Sequence, residues 1–479
     1  ASQPPPPPVL RGRPLWGGGP SVPIGIRFGT SGACRSGRFR AGRSEGKGRY
    51  VAEKRDRVLK AVMAALENDY AGMPEKAPLN DTKQWLTAFG EAWKAGRLDD
   101  ALFVSYLTQY LATFQDPNLA LLVSDVCPCQ PWSCGFSVRR FGDELYVTEV
   151  REDERFTVSD ALVLLNRSIP DKHLDYAIGN PVNGDDPDRQ LWDDLVSRCA
   201  HVLVRHADGT EEDVAVRRFR RSQVAPMGLP GALPDGAIDE RGDAVVVDLR
   251  RVPRVLDDAS YDRVLAALLP ERLSIADLMG DEAVFTNYTA GNCAIRRSQL
   301  ETLRQGASAC ERAWVDEEIE RIGSLEGAGM VREVECDDRV AGGANAGRPV
   351  VLLTDVTTSA AGERIVQVAR AAAEQGLVEV HVVGRATSGA IDYANPLVVS
   401  FDEFYTFVYP MSKSEAAARG EGVSGRGIEP DVAVPFTPDE CREDRVRKRA
   451  LDLVWRLTPP GPPPAPPSPP FRARPRSPV

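Results

Sequence analysis

The chain has 479 residues, more than the roughly 250–300 at which a single hydrophobic core stops growing, so two or three domains are expected. Its formal net charge of −10, from 59 basic and 69 acidic residues, argues against a nucleic-acid partner, which requires a concentrated positive surface. No apolar run reaches the roughly 18 residues of a transmembrane helix, so a soluble chain is expected. The localisation and the oligomeric state are left open, with secretion or a periplasmic location allowed if a signal was removed.

Both ends of the chain are rich in proline. Residues 1–48 contain five consecutive prolines from Pro4 and many Gly, Arg and Ser residues, a composition that predicts a disordered tail. Residues 446–479 are expected to form a second tail, whose segment PPGPPPAPPSPP (459–470) favours polyproline II. That segment is read as a stiff linker or as an SH3-type ligand.

Between the tails the pattern divides into three regions. Apolar residues at helical spacing, such as Val58 and Val62, predict a helical N-terminal region over residues 49–125. Short apolar runs separated by turn residues predict a β module over residues 126–222. In residues 223–445, buried strands alternate with helices, which indicates an α/β fold with a parallel or mixed sheet. The expected strands and helices of this core are Ala244–Leu249, Tyr261–Leu269, Val350–Leu353, Ile365–Ala373 and Val378–Val383.

The cysteines do not predict a metal site. Cys127, Cys129 and Cys134 lie close together, but no second cluster at zinc spacing accompanies them. No H-E-x-x-H pattern occurs either, so a metal-dependent enzyme is set aside. Neither a metal nor a cofactor is expected.

Four segments carry a resemblance to a known family. They are AVVVDLR (244–250), VVLLTDVTTSAAGERIV (350–366), VHVVGRATSGA (380–390) and GRGIEPDVAVP (425–435). In this order and spacing they resemble the C-terminal processing (tail-specific) serine proteases. The resemblance implies a crotonase/ClpP-like core, a PDZ-like β module inserted in it or preceding it, and a polypeptide as the partner.

The β module resembles a PDZ domain. Ser133-Cys134-Gly135-Phe136 stands where such domains carry their carboxylate-binding loop. A PDZ domain adds an extended peptide to its sheet as a strand, and backbone N–H groups of the loop hold the C-terminal carboxylate. The resemblance thus implies that Cys134, Gly135 and Phe136 bind a C-terminal peptide. The alternative is that Gly135 is a turn glycine and Phe136 a core residue.

The positions that match the family's nucleophile and base are substituted. The nucleophilic serine would stand three residues before Glu363, where this chain has Ala360, and Ser359 is the remaining candidate catalytic residue. One residue at a helix start turns a side chain by roughly 100°, so Ser359 is expected to point elsewhere. The family's base would be a lysine at Ala390 in one branch or a histidine at Asn118 in another, and neither residue present can remove a proton near neutral pH.

The family's oxyanion loop is substituted as well. Where the family has Asp-Leu-Arg-x-Asn-x-Gly-Gly, this chain has DLRRVPRV (248–255), without the asparagine or the two glycines. Among the histidines, His381 is expected to be a satisfied core residue of a strand. Lys413 is the remaining lysine candidate for a base on the C-terminal side.

These substitutions predict a tail-specific-protease-like protein with a degraded active site that binds extended polypeptides or C-termini without cutting them. The alternative is an active serine endopeptidase that uses Ser359, or a serine restored at position 360, with a base elsewhere in the chain.

Overall fold

The structure is a computed structural model. It describes residues 10–12, 56–76, 90, 91, 93, 95, 96, 100–124, 132–173, 186–190, 192–220, 230–241, 244–280, 282–335, 337, 339–401 and 404–457. Apart from the short strand at 10–12, the tail expected at 1–48 lies outside these residues, as does the proline-rich segment 459–470.

The elements are labelled in chain order. The helices are α1 (56–69, ending in a π-helical turn at Ala65–Asp69), α2 (Met73–Lys76), α3 (Asp100–Ala112), α4 (Trp192–Val196), α5 (Asp258–Leu268), α6 (Ile275–Met279), α7 (Ala290–Gly306), α8 (Ala309–Leu325), α9 (Ala361–Glu374), α10 (Glu415–Ala418) and α11 (Arg445–Leu457). The strands are β1 (Leu10–Gly12), β2 (Ala120–Val123), β3 (Trp132–Ser133), β4 (Phe136–Phe141), β5 (Glu144–Val150), β6 (Ala161–Leu165), β7 (His201–Arg205), β8 (Glu211–Ala215), β9 (Phe219–Arg220), β10 (Ile238–Arg241), β11 (Ala244–Asp248), β12 (Arg272–Ser274), β13 (Glu282–Tyr288), β14 (Gly329–Glu335), β15 (Val340–Gly342), β16 (Val350–Thr354), β17 (Val380–Gly384), β18 (Tyr393–Ser400), β19 (Tyr405–Ser414) and β20 (Val432–Ala433).

A mixed five-stranded sheet forms the centre of the α/β core. Its order is β10-β11-β16-β17-β20, with β10 antiparallel at one edge and the other neighbours parallel. All five residues of β16 are buried, the continuous apolar pattern of a strand covered on both faces. Val350 and Leu352 belong to the core beneath α5 and α9, whereas Val351 and Leu353 belong to the core beneath α11. The mixed α/β architecture expected from the alternating pattern is therefore confirmed.

The N-terminal helices share a hydrophobic core with a second sheet. That sheet has the order β1-β14-β13-β19-β18, and β2 also pairs with β19. Val58 of α1 and Leu107 of α3 lie in the same core cluster as Phe407 and Tyr409 of β19. The region expected to be helical up to residue 125 therefore ends in a strand, because alternating burial along β2 suits the edge of this sheet.

The β module is an antiparallel sheet in simple chain order. Strands β4 to β8 pair in sequence, within the region where short apolar runs predicted a β module. Its core contains Phe136, Val147, Leu162 and Val202 from the strands and Trp192 from α4. The module therefore has a hydrophobic core of its own.

The expected start of the C-terminal tail at residue 446 is wrong. Residues 446–457 lie in α11, whose Val446, Ala450 and Val454 follow each other at intervals of four and are buried against the central sheet. Three basic residues, 447–449, fill the first interval and the proline-rich segment follows soon after the helix, so the narrow apolar stripe is hard to distinguish from a polar tail in the sequence.

Candidate functional site

The turn between β16 and α9 carries Ala360, the position expected to match the family's nucleophile. β16 ends at Thr354, and α9 begins at Ala361. Ala360, the residue before the helix, has φ +46° and ψ −99°, which residues with a Cβ rarely adopt. Strain of this kind costs about 1–3 kcal/mol and persists only where surrounding contacts hold it. The turn is therefore held in shape by its neighbours.

Glu363 supplies the contacts that hold this turn. It is fully buried, and its Oε2 accepts the N–H of Ala360 at 3.0 Å and the N–H of Ala390 at 2.8 Å. Its Oε1 accepts the N–H of Gly389 and the hydroxyl of Thr387, both at 2.6 Å. One buried carboxylate thus ties the nucleophile position to the position of the family's lysine.

Arg254 bonds a backbone N–H group that an open oxyanion loop would leave free for the substrate. Its carbonyl oxygen accepts the N–H of Ala361 at 3.1 Å, and its Nη2 donates to Oδ1 of Asn118. Burial lowers the pKa of Arg254, while Glu363 and Asp116 act in the opposite direction. Because the first N–H of α9 is already bonded within the protein, it is not available to a developing oxyanion.

The side chain of Asn118 holds backbone carbonyl groups in place and does not transfer protons. It is 1% exposed, and its Nδ2 donates to the carbonyl oxygens of Ala390 and Tyr393, both at 2.7 Å. Its Oδ1 accepts from Arg254, so both ends of the amide are bonded. A carboxamide in this state cannot act as a general base.

Asp116 lies directly behind Asn118. Its Oδ1 accepts the N–H of Asn118 and its Oδ2 accepts the hydroxyl of Tyr70, both at 2.9 Å. Burial raises the pKa of Asp116 to about 6, although these two hydrogen bonds and the nearby Lys76 and Arg254 favour its charged form. The site therefore contains one carboxyl that titrates close to neutral pH.

Ser359 is buried without a base. It is 5% exposed, and its Oγ has no hydrogen-bond partner among the described residues. A serine nucleophile requires a base within hydrogen-bond reach. Within the described ranges no histidine, lysine or carboxylate takes that role, so Ser359 stays a candidate by its position in the chain alone.

The other expected bases have partners of their own. Lys413, on β19, forms an ion pair with Glu75. His381 is in β17 as expected, but its side chain is 26% exposed and its Nε2 lies 3.0 Å from Oε1 of Glu379. The expectation of a core histidine is wrong because only the last three residues of β17 are buried.

The segment expected to bind a peptide carboxylate forms the tight entry to β4. Gly135 has φ +84°, and a Cβ there would come within 2.8 Å of the Phe219 ring. Its carbonyl oxygen accepts two N–H groups of the β5–β6 connection at 2.9 Å. Cys134 and Phe136 are 0% and 1% exposed and belong to the core of the module. These contacts are those of a turn glycine and a core phenylalanine, and peptide binding by the three residues stays a prediction.

Asp193 of α4 caps the outer edge of β4. Its Oδ1 accepts the N–H of Val138, and its Oδ2 accepts the hydroxyl of Ser137, both at 2.8 Å. Among the described strands β4 pairs with β5, so the N–H of Val138 is a donor that an added peptide strand would use. A peptide joining this edge would have to displace the carboxylate of Asp193.

Arg189 joins the β module to the candidate site. It lies in a 3₁₀ turn, Pro187–Arg189, and donates to the carbonyl oxygens of Ser388 at 3.2 Å, of Arg426 at 2.7 Å and of Thr387. It therefore holds from outside the same turn that Glu363 holds from inside.

Sequence reasoning did not identify the organising roles of Glu363, Arg254 and Arg189. In the sequence, Glu363 served only to locate the nucleophile position, and Arg254 was noted only because it stands where the family has a glycine. Arg189 bonds residues about two hundred positions away, and nothing in its local pattern signals that contact. The capping-box arrangement of Glu363, three residues after the residue before α9, is the one local signal that was available.

The described residues contain neither a metal-binding cluster nor a membrane-spanning helix. In those ranges no group of three or more His, Cys, Asp or Glu side chains could hold a metal ion. Cys127 and Cys129 lie outside the described residues, and Cys134 is a free buried thiol. No helix in the described part of the chain is long and apolar enough to cross a membrane.

Comparisons with known proteins agree with the motifs at the level of the fold. No protein-family model and no curated protein matches the sequence. Mature CPAF is similar at 12% identity and a TM-score of 0.53, over 85% of this chain and 97% of that chain. Mature CPAF complexed with lactacystin is similar at 11% identity and a TM-score of 0.52, over 85% and 98%. The photosystem II D1 C-terminal processing protease matches at 12% identity, over 82% and 96%, with a TM-score of only 0.32. The chain therefore shares its fold with CPAF, and its sequence motifs resemble those of the tail-specific peptidases.

Proposed function

We propose that the protein binds extended polypeptides or their C-termini and does not cut them. The main observation in favour of no cleavage is the hydrogen bond between Ala361 and Arg254. Ala360 has no hydroxyl, and the adjacent N–H of Ala361 is bonded to the carbonyl oxygen of Arg254. Peptide hydrolysis by a serine needs both a hydroxyl and free oxyanion donors.

The shape retained around the missing nucleophile supports a binding role. Ala360 keeps a strained conformation, and Glu363 makes four hydrogen bonds of 3.0 Å or less that maintain it. A strained backbone held by buried polar contacts is typical of functional sites. The turn therefore keeps a defined conformation although Ala360 provides no nucleophile.

The β module supplies the surface on which we place the peptide. β4 has an outer edge with a backbone donor at Val138, and the positive φ of Gly135 sets the path of the chain into that strand. Asp193 lies on this edge as an internal carboxylate, the same chemical group that ends a polypeptide. A C-terminal carboxylate and an added strand fit this edge once Asp193 is displaced.

Calorimetry with a library of C-terminal peptides tests the proposal. We expect measurable binding, weaker binding of the same peptides with an amidated C-terminus, and no change in peptide mass after long incubation. Gly135→Ala should weaken binding by about tenfold or more, because its Cβ would contact Phe219 and the loop backbone. Gly142→Ala is the matched control, since Gly142 also has a positive φ but its Cβ would meet nothing within 4 Å.

The outcomes separate the two parts of the proposal. Absence of binding across the library would remove the polypeptide-binding function. Binding unaffected by Gly135→Ala would place the peptide elsewhere than the β4 edge. Circular dichroism melting of both glycine variants distinguishes lost binding from an unfolded module.

A second candidate function, an active serine endopeptidase, depends on Ser359. Its buried Oγ without a partner is the observation in its favour, because buried hydroxyls are normally hydrogen-bonded. A fluorophosphonate probe followed by peptide mapping tests it. We expect no label on Ser359, and labelling of Ser359 in the folded protein would overturn the non-cleaving function.

A further inference from the structure

A serine and a lysine that lie far apart in the sequence meet beside the candidate site. Nζ of Lys76, at the end of α2, lies 3.1 Å from Oγ of Ser424. The ammonium also lies 5.3 Å from the centre of the Tyr393 ring. Ser424 Oγ in turn donates to the carbonyl oxygen of Gln115. The Nζ–Oγ separation is short enough for direct proton transfer between the two groups.

The surroundings of Lys76 weaken its hold on a proton. Lys76 is 6% exposed, and burial lowers its pKa, while Asp116, Asp392 and Glu75 act in the opposite direction. Glu75 is neutralised in part by its ion pair with Lys413. A buried lysine of this kind can act as a general base, as in serine–lysine hydrolases.

The turn that carries Ser424 is short and closely packed. The N–H of Ser424 donates to Oδ2 of Asp392, and Val423 accepts the N–H groups of Arg426 at 3.0 Å and Gly427 at 2.6 Å. Gly425, directly after the serine, has φ +85°, and its N–H makes no hydrogen bond within the described residues. The side chain of Gln115 packs against Gly425, so an oxygen next to Ser424 reaches that N–H only when Gln115 moves aside.

We propose that Ser424 and Lys76 form a nucleophile–base pair that hydrolyses small carboxylic esters. Ser424 Oγ attacks the ester carbonyl carbon and its proton passes to neutral Lys76, so a carbon–oxygen bond forms to the serine. The bond to the leaving alcohol then breaks, and that alcohol takes the proton from Lys76. Water then attacks the acyl carbon as Lys76 takes its proton, the bond from that carbon to Ser424 Oγ breaks, and Oγ takes the proton back from Lys76 as the acid leaves. This activity goes beyond polypeptide binding and uses neither Ala360 nor the β4 edge.

The size of the substrate follows from the burial of the pair. Lys76 is almost completely buried and Ser424 is half-buried, with Gln115 and Tyr393 alongside. Gln115 covers the serine turn, so a substrate has to displace its side chain, and a short acyl group requires a smaller displacement than an extended chain. Small esters are therefore the expected substrates.

Fluorophosphonate labelling and hydrolysis of p-nitrophenyl acetate test this pair in the full chain. We expect the probe to label Ser424, with a rate that rises with pH around a midpoint below the ordinary lysine value of 10.5. Ser424→Ala should abolish both signals. Lys76→Arg keeps a cation but cannot act as a base, so it should lower both rates by about a hundredfold.

One control variant and two contrary results complete this experiment. Ser324→Ala, an exposed serine in α8, should leave labelling and ester hydrolysis unchanged. No label on Ser424 in the folded wild-type chain would overturn the proposal without the need for any variant. Labelling of Ser424 that is unchanged in a folded Lys76→Arg variant would overturn the role of the lysine. Peptide binding by the β4 edge is measured separately, so either proposal can fail alone.

Discussion

The carbonyl oxygen of Arg254 accepts a hydrogen bond from the N–H of Ala361 at 3.1 Å. This contact joins the replaced oxyanion loop to the first residue of α9, at the place where a tail-specific protease would need a free donor. The proposed absence of cleavage thus rests on this bonded N–H as well as on Ala360, and a change of Ala360 alone leaves the bond to Arg254 in place.

We predict that Ala360→Ser does not restore hydrolysis of an unstructured protein such as casein. The new hydroxyl would lack a base, because Asn118 and Ala390 occupy the base positions, and it would lack the oxyanion donor used by Arg254. One lost donor alone costs ~10²–10³ in rate. Release of soluble peptides should stay at the background of the unmodified chain.

Casein cleavage by the single variant that a serine-directed inhibitor abolishes would contradict this prediction. It would leave an otherwise competent protease inactivated at one residue. Combining Ala360→Ser with Asn118→His and with Val252→Asn, Arg254→Gly and Val255→Gly should raise turnover above the single variant.

Glu363→Gln should strongly destabilise the core. The amide would present an NH₂ group to N–H groups of Ala360, Ala390 or Gly389 that now bond a carboxylate oxygen. Lost charged hydrogen bonds and buried unpaired donors together predict a fall of about 3–5 kcal/mol in the free energy of unfolding, measured with urea. Glu379→Gln, which removes an exposed ion pair with His381, should cost less than about 1 kcal/mol. Equal effects of the two changes would argue against the role of Glu363.

The stability of the protein should depend on pH through Asp116. Its pKa is about 6 in the folded chain and 3.8 ordinarily, so the folded state keeps a proton that the unfolded state releases. The contribution of Asp116 to stability therefore falls as pH rises from about 4 to about 6, by about 3 kcal/mol at most. Asp116→Asn can still accept the N–H of Asn118 at Oδ1 and can donate from Nδ2 to the Tyr70 hydroxyl oxygen, so it should remove this dependence. An unfolding free-energy difference between the two chains that is constant from about pH 4 to about pH 7 would disprove the assignment.

Arg189→Ala should loosen the turn that Glu363 organises. Three backbone carbonyl oxygens, those of Thr387, Ser388 and Arg426, would lose a charged donor. Hydrogen exchange of the amides in residues 387–390 should become at least about tenfold faster, which corresponds to about 1.4 kcal/mol. Arg140→Ala is the control, since Arg140 bonds only Asp171 and the Gly142 carbonyl within the module. Unchanged exchange after Arg189→Ala would show that the module does not support the turn.

The sequence by itself determined the α/β core and the substitutions at the positions that match the family's catalytic groups. The apolar run of β16 and the amphipathic pattern of α9 depend on local residue types, so they are readable without a partner. The substitutions at Ala360, Ala390 and Asn118 are likewise visible once the motifs fix the register of the chain. The narrow apolar stripe of α11 was missed because three consecutive basic residues, 447–449, interrupt it.

Only the tertiary structure decided which contacts the residues at these positions make. The contacts of Arg254 with Asn118 and Ala361, and of Lys76 with Ser424, join residues that are more than one hundred positions apart. Such pairs are set by how separate sheets and helices pack, and no local periodicity records them. Burial, which changes the pKa of Asp116 and Lys76, arises from the same packing.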